Sequence, residues 1–361
     1  MSSPKKLKIA VGMSGGIDSS ITAYILKSEG HDVFGVTMAV WDGHYGESGK
    51  HACYGPDEEA EIEEARHIAK LLDIPFHVYD CSQNYKDIVL KYFKNEYLSG
   101  RTPNPCVVCN QKVKMNILPE LVRRSGIQYD KFATGHYARI EFDDTSGLYL
   151  LKKGVDTKKD QSYFLYRLSQ EQLAATLFPL GNKTKNEIRS LAAELNLPVV
   201  DKKESQDFYA GDYTELLGIN TKEGWIVNRK GEKLGKHNGF WNYTIGQRRG
   251  LGISYSEPLY VIDIDSKNNR IVVGTSDELH HDTFIIEDTN WIAYKVPPDE
   301  FEATVKVRYT QRETNAIVNK ITEDRYLIKL KHSGDAITPG QSAVIYDGDI
   351  LIGGGFIKER S

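Results

Sequence analysis

The chain is poor in cysteine and proline and has no long apolar run. Four cysteines in 361 residues are too few for a disulfide scaffold of this size. In a reducing compartment a Cys-x-x-Cys pair points instead to metal or redox chemistry. No stretch approaches the roughly 18 consecutive apolar residues of a membrane helix. Met1-Ser2-Ser3-Pro4-Lys5-Lys6 leads into a short strand without the apolar core of a signal peptide. A cytoplasmic location with no membrane partner is therefore expected. There is no internal repeat and no low-complexity segment. With 40% hydrophobic and 27% charged residues, wholesale disorder and collagen-like structure are excluded. The length suggests two or three domains of roughly 100–200 residues each.

The net charge of −4 conceals a pattern. Residues 1–151 carry 17 basic and 20 acidic side chains, residues 152–250 carry 17 and 12, and residues 251–361 carry 12 and 18. A basic middle between acidic ends suits a polyanionic partner. Lys152-Lys153, Lys158-Lys159, Lys202-Lys203 and Arg248-Arg249 concentrate that charge in pairs. Each pair alone reads equally well as a solvated face; together they favour salt-sensitive phosphate contacts.

The first third alternates strand and helix. Lys8–Val11 reads as a strand, then a glycine turn, then a helix with apolar residues at Ile21, Tyr24 and Ile25. Asp32–Met38, Phe76–Tyr79 and Phe132–Thr134 read as further strands, with helices over Glu58–Leu72 and Ile88–Leu98. This order predicts an α/β, doubly wound parallel sheet. After about residue 205 short β-rich runs and turn pairs such as Asn268-Asn269 and Asp347-Gly348 dominate. The last stretch, from about 284, reads as a small antiparallel β-barrel.

Ser14-Gly15-Gly16-Ile17-Asp18-Ser19-Ser20 lies between a strand and a helix. Glycines there let backbone N–H groups converge, and Ser14 and Ser19 add hydroxyls. The helix N-terminus adds partial positive charge, so the turn suits a phosphate. It is neither a Walker A loop nor a Gly-x-Gly-x-x-Gly fingerprint. The plainer alternative is a glycine turn that only lets strand and helix pack closely. Gly100-Arg101-Thr102-Pro103-Asn104-Pro105-Cys106-Val107-Val108-Cys109-Asn110 is the second dense signal. Asn110-Gln111-Lys112 reads as the opening of a helix, and a thiol at that N-terminus near Lys112 and Lys114 is expected to have a lowered pKa. A structural zinc site would need a second Cys/His pair, which the sequence does not offer.

The pattern Ser-Gly-Gly-x-Asp-Ser resembles the PP-loop ATPases, which split ATP between its α and β phosphates. The resemblance implies Gly12, Met13, Ser14, Gly15, Gly16, Asp18, Ser19, Met38 and Gly135 at the ATP, with Asp18 near pyrophosphate and Mg²⁺. Gly12–Ser20, Arg101–Asn110, Thr134–Arg139, Lys159–Leu165 and Thr244–Gly252 recur in the order seen in the tRNA-specific 2-thiouridylases, as does Pro339-Gly340-Gln341. The similarity runs from about residue 8 to about 357. It implies a PP-loop catalytic domain over 1–208, a small tRNA-contacting central domain over 209–282 and a β-barrel domain over 283–361.

It further implies adenylation of the C2 oxygen of the wobble uridine, then sulfur transfer to C2 with release of AMP. The expected cofactors are ATP and Mg²⁺. The expected partners are tRNA, through its anticodon stem-loop, and a sulfur donor protein or sulfide. Cys109, Cys106 and Asp18 are the candidate catalytic residues. Asn104, His136, Lys159, Asp160, Gln161, Arg308, Tyr309 and Gln341 are the candidate tRNA contacts. One departure stands out. Where relatives carry a second cysteine that accepts persulfide sulfur, this chain reads Glu204-Ser205-Gln206-Asp207-Phe208-Tyr209-Ala210, with Tyr209 in the cysteine's place. Three readings follow. Cys106 and Cys109 act as a local thiol pair; or Cys53, Cys106 and Cys109 ligate a 4Fe-4S cluster; or the chain is a tRNA-binding paralogue without thiolation activity. Cys81 reads as a core residue. Another adenylating PP-loop enzyme, acting on a small molecule, is the rival class.

Overall fold

The computed structural model describes residues 5–44, 46, 52–198, 207–209, 211, 213–334 and 336–360. Lys202-Lys203, Glu204-Ser205-Gln206 and Ala210 lie outside the described residues. In chain order the first elements are β1 (Lys8–Gly12), α1 (Ile17–Ser28), β2 (Asp32–Ala39), β3 (Ala52–Tyr54), α2 (Glu58–Leu71) and β4 (Phe76–Asp80). Then come α3 (Ser82–Tyr85), α4 (Lys91–Leu98), α5 (Pro105–Cys109), α6 (Leu118–Arg124), β5 (Lys131–Ala133), β6 (Ala138–Asp143) and β7 (Leu148–Lys153). α7 (Gln170–Ala175), β8 (Thr176–Leu177), α8 (Lys185–Glu194), β9 (Asp207–Tyr209) and α9 (Tyr213–Leu217) follow. The remainder is β-structure: β10 (Gly224–Asn228), β11 (Lys233–His237), β12 (Tyr260–Asp265), β13 (Arg270–Gly274) and β14 (His281–Trp291). The last strands are β15 (Glu300–Lys306), β16 (Thr314–Thr322), β17 (Arg325–Gly334), β18 (Ser342–Asp347) and β19 (Ile350–Arg360).

Two compact units share these elements. One comprises Met1–Val89, Cys106–Gly211 and Asp349–Leu351; the other comprises Leu90–Pro105, Asp212–Gly348 and Ile352–Ser361. The first unit is built on a five-stranded sheet, β4-β2-β1-β5-β8, in which every pair is parallel. Ile9, Ala10 and Val11 of the central strand are fully buried, as a strand covered on both faces requires. Ile9 and Val11 share a core with Ile17, Ile21 and Ile25 of α1, Ala65 and Ile68 of α2, and Ile188 and Ala192 of α8. α6 packs against β2 and β4. The expected parallel α/β domain is present. Sequence periodicity did not resolve the short parallel pair β3–β9 or the β6–β7 hairpin.

The second unit holds a four-stranded sheet, β11-β10-β13-β12, and six strands in the order β14-β17-β16-β15-β18-β19. Pairing of β14 with β19 closes the six into a barrel. Its interior follows the period of two: Phe284 and Ile286 on β14, Ala316 and Val318 on β16, Tyr326 and Ile328 on β17 are all fully buried. Closure leaves no open edge. Among the described residues no helix is long and apolar enough to cross a membrane.

Candidate functional site

The glycine turn sits where β1 passes into α1, at the carboxyl end of the central strand, as ligand sites in open α/β sheets do. Gly15 has φ +68°, and a β-carbon there would stand 2.6 Å from the Glu61 carbonyl oxygen. Only glycine fits both demands. Ser19 Oγ donates to the Gly16 carbonyl at 3.1 Å and accepts the Ser14 N–H at 3.2 Å. These bonds shape the loop ahead of any ligand.

Asp18, in the first turn of α1, is a hub. Tyr137 Oη donates to its Oδ1 at 2.7 Å. Lys185 Nζ donates to both carboxylate oxygens at 2.8 Å. Gly135 lies against the same turn: a β-carbon on it would stand 2.8 Å from the Asp18 carbonyl carbon. Sequence reading missed Lys185. A signal was available, because a lysine at the first position of a helix opposes the macrodipole. Thr184 and Glu187 around it form a capping box that fixes that position.

One cavity takes in Gly12, Met13, Ser14, Asp18, Ser19 and Met38 together with Gly135, His136 and Gln161. Nine candidate residues from four separate segments thus converge. Lys114 and Thr134 also line it and were not anticipated. His136 Nδ1 pairs with Thr134 Oγ1 at 2.8 Å. Burial, and then the Lys114 charge, lower the His136 pKa to about 3, so the ring is neutral. Gln161 Oε1 accepts the Tyr137 N–H at 3.0 Å.

The cysteine segment departs from expectation. The helix begins at Pro105, which suits a first helical position, rather than at Asn110. Asn110–Ile117 continues it as a π-helix, a form often found at functional sites. Gln172 Nε2 donates to two of its carbonyls, those of Gln111 and Met115. Cys106 therefore lies in the first turn and is exposed, while Cys109 ends the α-helical stretch and is buried. The lowered pKa expected of a thiol here does not hold for Cys109. Burial pushes it up to about 11, with Lys114 opposing and the Cys53 and Cys81 thiols adding. Cys81 is fully buried, as expected of a core residue.

Three thiols nevertheless act on common groups. The buried Tyr85 hydroxyl is driven well above the usual tyrosine range by burial and then by Cys109, Cys53 and Cys106. Burial pulls the Lys114 pKa down, and the same three thiols more than offset it, so it is raised. Tyr85 stacks on Tyr54 with centroids 5.7 Å apart, and Tyr54 meets Tyr209 at 6.2 Å. Tyr209 is buried, on the strand paired with the one that carries Cys53. Among the described residues no group of three His, Cys, Asp or Glu side chains is placed to hold a metal ion.

The remaining candidates divide by burial. Asp160 is buried and accepts the N–H groups of Gly154 and Ser162 and the Ser162 hydroxyl. In the second unit, Arg308 donates to the Ile245 carbonyl at 2.9 Å and to the Thr338 hydroxyl. Gln341 Nε2 donates to the carbonyls of Thr102 and Pro103, and Gly340 approaches Thr102 too closely for a β-carbon. The Pro339-Gly340-Gln341 turn thus grips the segment that leads to Asn104, itself buried with its N–H on Tyr92 Oη at 3.2 Å. Lys306 Nζ lies 5.3 Å from the Tyr309 ring centroid. Lys159 is half-buried; Arg248 and Arg249 are exposed.

Three family models match the chain in succession: a tRNA methyl transferase HUP domain over residues 7–209, a tRNA methyl transferase PRC-barrel domain over 217–275 and an aminomethyltransferase β-barrel domain over 281–357. The tRNA-specific 2-thiouridylase MnmA of Endomicrobium trichonymphae is 44% identical over 357 residues, 98% of this chain and 99% of that protein. The protein of the same name from Geotalea uraniireducens is 44% identical over 366 residues, 98% of this chain and 96% of that one. A solved 4-thiouridine synthetase–RNA complex with bound ATP aligns at a TM-score of 0.35 and 13% identity over 59% of this chain and 46% of that chain, too distant to carry an argument. The domain models speak of methyl transfer and the full-length relatives of thiolation. Similarity along the whole chain decides for the relatives.

Proposed function

The chain belongs to the tRNA-specific 2-thiouridylase family, and from that premise we propose how its residues divide the work. The enzyme is an ATP-dependent sulfurtransferase acting on tRNA. The C2 oxygen of the wobble uridine is adenylated, then sulfur replaces it and AMP and pyrophosphate are released.

The backbone of Gly12–Gly16 and the hydroxyls of Ser14 and Ser19 hold the phosphates. Met38 and Gly135 receive the nucleoside. Asp18 and those hydroxyls are oxygen donors of the kind Mg²⁺ takes alongside phosphates, and the ion when bound offsets charge on the leaving pyrophosphate. Adenylation makes the C2 oxygen a leaving group. One of Cys106 and Cys109 then delivers a persulfide sulfur to C2 and the other attacks the carrier sulfur, releasing the thiouridine. That leaves a Cys106–Cys109 disulfide for an external thiol to reduce. Exposure of Cys106 suits it to take the outer sulfur of a donor protein's persulfide, whose thiol is then released; sulfide can recharge the pair only by attacking the Cys106–Cys109 disulfide, leaving a persulfide on one sulfur and a thiol on the other. The observation that carries this reading is Lys114, which lines the nucleotide cavity and is acted on electrostatically by Cys109, Cys53 and Cys106. Adenylation and sulfur delivery thus share one site.

A 4Fe-4S cluster on Cys53, Cys106 and Cys109 is the second reading, favoured by the three thiols acting together on Tyr85. The described side chains offer no ready three-ligand group, so no step is routed through a cluster. His136 and Gln161 receive the flipped uridine. Lys159 and Tyr309 contact tRNA directly, while Asn104, Asp160, Arg308 and Gln341 support the contacting segments from within. The division of labour follows residues 1–208, 209–282 and 283–361, and the enzyme works in the cytoplasm. Asp18→Ala tests the assignment: thiolation and pyrophosphate release are abolished while tRNA still binds. Loss of tRNA binding with ATP turnover intact would contradict it.

A further inference from the structure

Lys185 stands behind the catalytic carboxylate. Its side chain is 6% exposed against 27% for Asp18. Asp18 lines the nucleotide cavity; Lys185 is not among the lining residues. The lysine cannot drift. Its backbone N–H donates to Asp156 Oδ2 at 3.0 Å, the capping box fixes its helix, and its Nζ lies 5.8 Å from the Tyr137 ring centroid. A buried ammonium is costly without a counter-charge, and Asp18 supplies it through two hydrogen bonds.

Asp18 is also the one acidic side chain among those described around this cavity. A divalent cation entering without nucleotide therefore meets an ion pair of no net charge. A cation arriving with a triphosphate brings its own counter-charge.

We infer that Lys185 is a positioning residue that makes divalent-cation binding at Asp18 depend on nucleotide, so that metal is taken up with ATP and not before it. This rests on the reading of the cavity as the adenylation site. In that reaction the bond from the α-phosphorus to the bridging oxygen breaks and its electron pair leaves with pyrophosphate. Lys185 takes no proton and forms no bond.

The test uses the full-length protein and Mn²⁺ as probe, with free Mn²⁺ read by electron paramagnetic resonance. Wild type binds Mn²⁺ weakly alone and tightly with a non-hydrolysable ATP analogue. Lys185→Met raises nucleotide-free affinity on the order of tenfold or more, since one nearby positive charge is gone. Lys185→Arg behaves as wild type, and Asp18→Asn with Lys185→Met loses the gain. A Lys185→Met titration that overlays wild type overturns the inference. If Lys185→Met does not fold, the double variant should, because both members of the pair are then removed; failure of both to fold shows that Lys185 does not act through Asp18 and overturns it equally. A wild type that binds no Mn²⁺ with the analogue overturns the nucleotide site itself, a separable outcome.

Discussion

Gly15 of the glycine turn and Glu61 of α2 lie so close that a β-carbon on Gly15 would stand 2.6 Å from the Glu61 carbonyl oxygen. Gly15→Ala must therefore move the turn or the helix, and must also hold φ at +68°. The combined strain is about 1–3 kcal/mol. The expected outcome is a loss of MgATP affinity of roughly tenfold or more, read by calorimetry, with tRNA binding little changed. Unchanged ATP affinity would remove the turn from the nucleotide site.

The raised Cys109 pKa has two consequences. Below about pH 11 the thiolate fraction grows about tenfold per pH unit, so any step in which Cys109 attacks accelerates toward alkaline pH. Stability moves the other way. Between an ordinary thiol value near 9 and about 11 the folded state keeps a proton that the unfolded state releases. This stabilisation is present below that window and lost as pH rises through it. Single-turnover sulfur transfer as a function of pH, on persulfide-charged enzyme, checks the first; denaturant melts of wild type and Cys109→Ser above pH 9 check the second.

Cys53→Ser separates the two sulfur routes. With a Cys106/Cys109 pair the variant keeps most of its activity. If a cluster carries the sulfur, the anaerobically purified variant loses its visible absorption, its iron and its turnover together.

Asp160 and Lys159 are neighbours with different expected phenotypes. Asp160→Ala leaves buried donors without their acceptor and is expected to cost about 2–4 kcal/mol of stability, measured by chemical denaturation. Lys159→Ala is expected to leave stability unchanged and to reduce the salt slope of tRNA binding by about 1. An unchanged slope would take Lys159 out of the interface.

How legible the molecule was in its sequence follows from the range of the interactions involved. Ile9–Val11, the glycine turn and the β-rich runs and turn pairs after about residue 205 carry local signals, and these led directly to the parallel sheet, the strand–helix turn and the barrel. Lys185 reaches Asp18 across 167 residues, and only its misplacement against a helix dipole marked it. Cys109 misled because the helix starts at Pro105, so a residue expected at a polar N-terminus ends up buried at the end of that helical stretch. Asp160, Arg308 and Gln341 look like surface charge and polarity in a linear reading. Their partners, at Ser162, Thr338 and Thr102, lie outside the strands and α-helices, in segments whose approach only tertiary structure defines.

The most direct test of adenylation followed by sulfur transfer is a single assay with unmodified tRNA, MgATP labelled at the α-phosphate and a persulfide or sulfide donor under reducing conditions. Nucleoside mass spectrometry and nucleotide analysis are read together. The expected result is 2-thiouridine at the wobble position with one AMP and one pyrophosphate for each sulfur inserted, and neither thiouridine nor AMP formation with Asp18→Ala. Thiolation without AMP, or ATP consumed to ADP and phosphate, would contradict it.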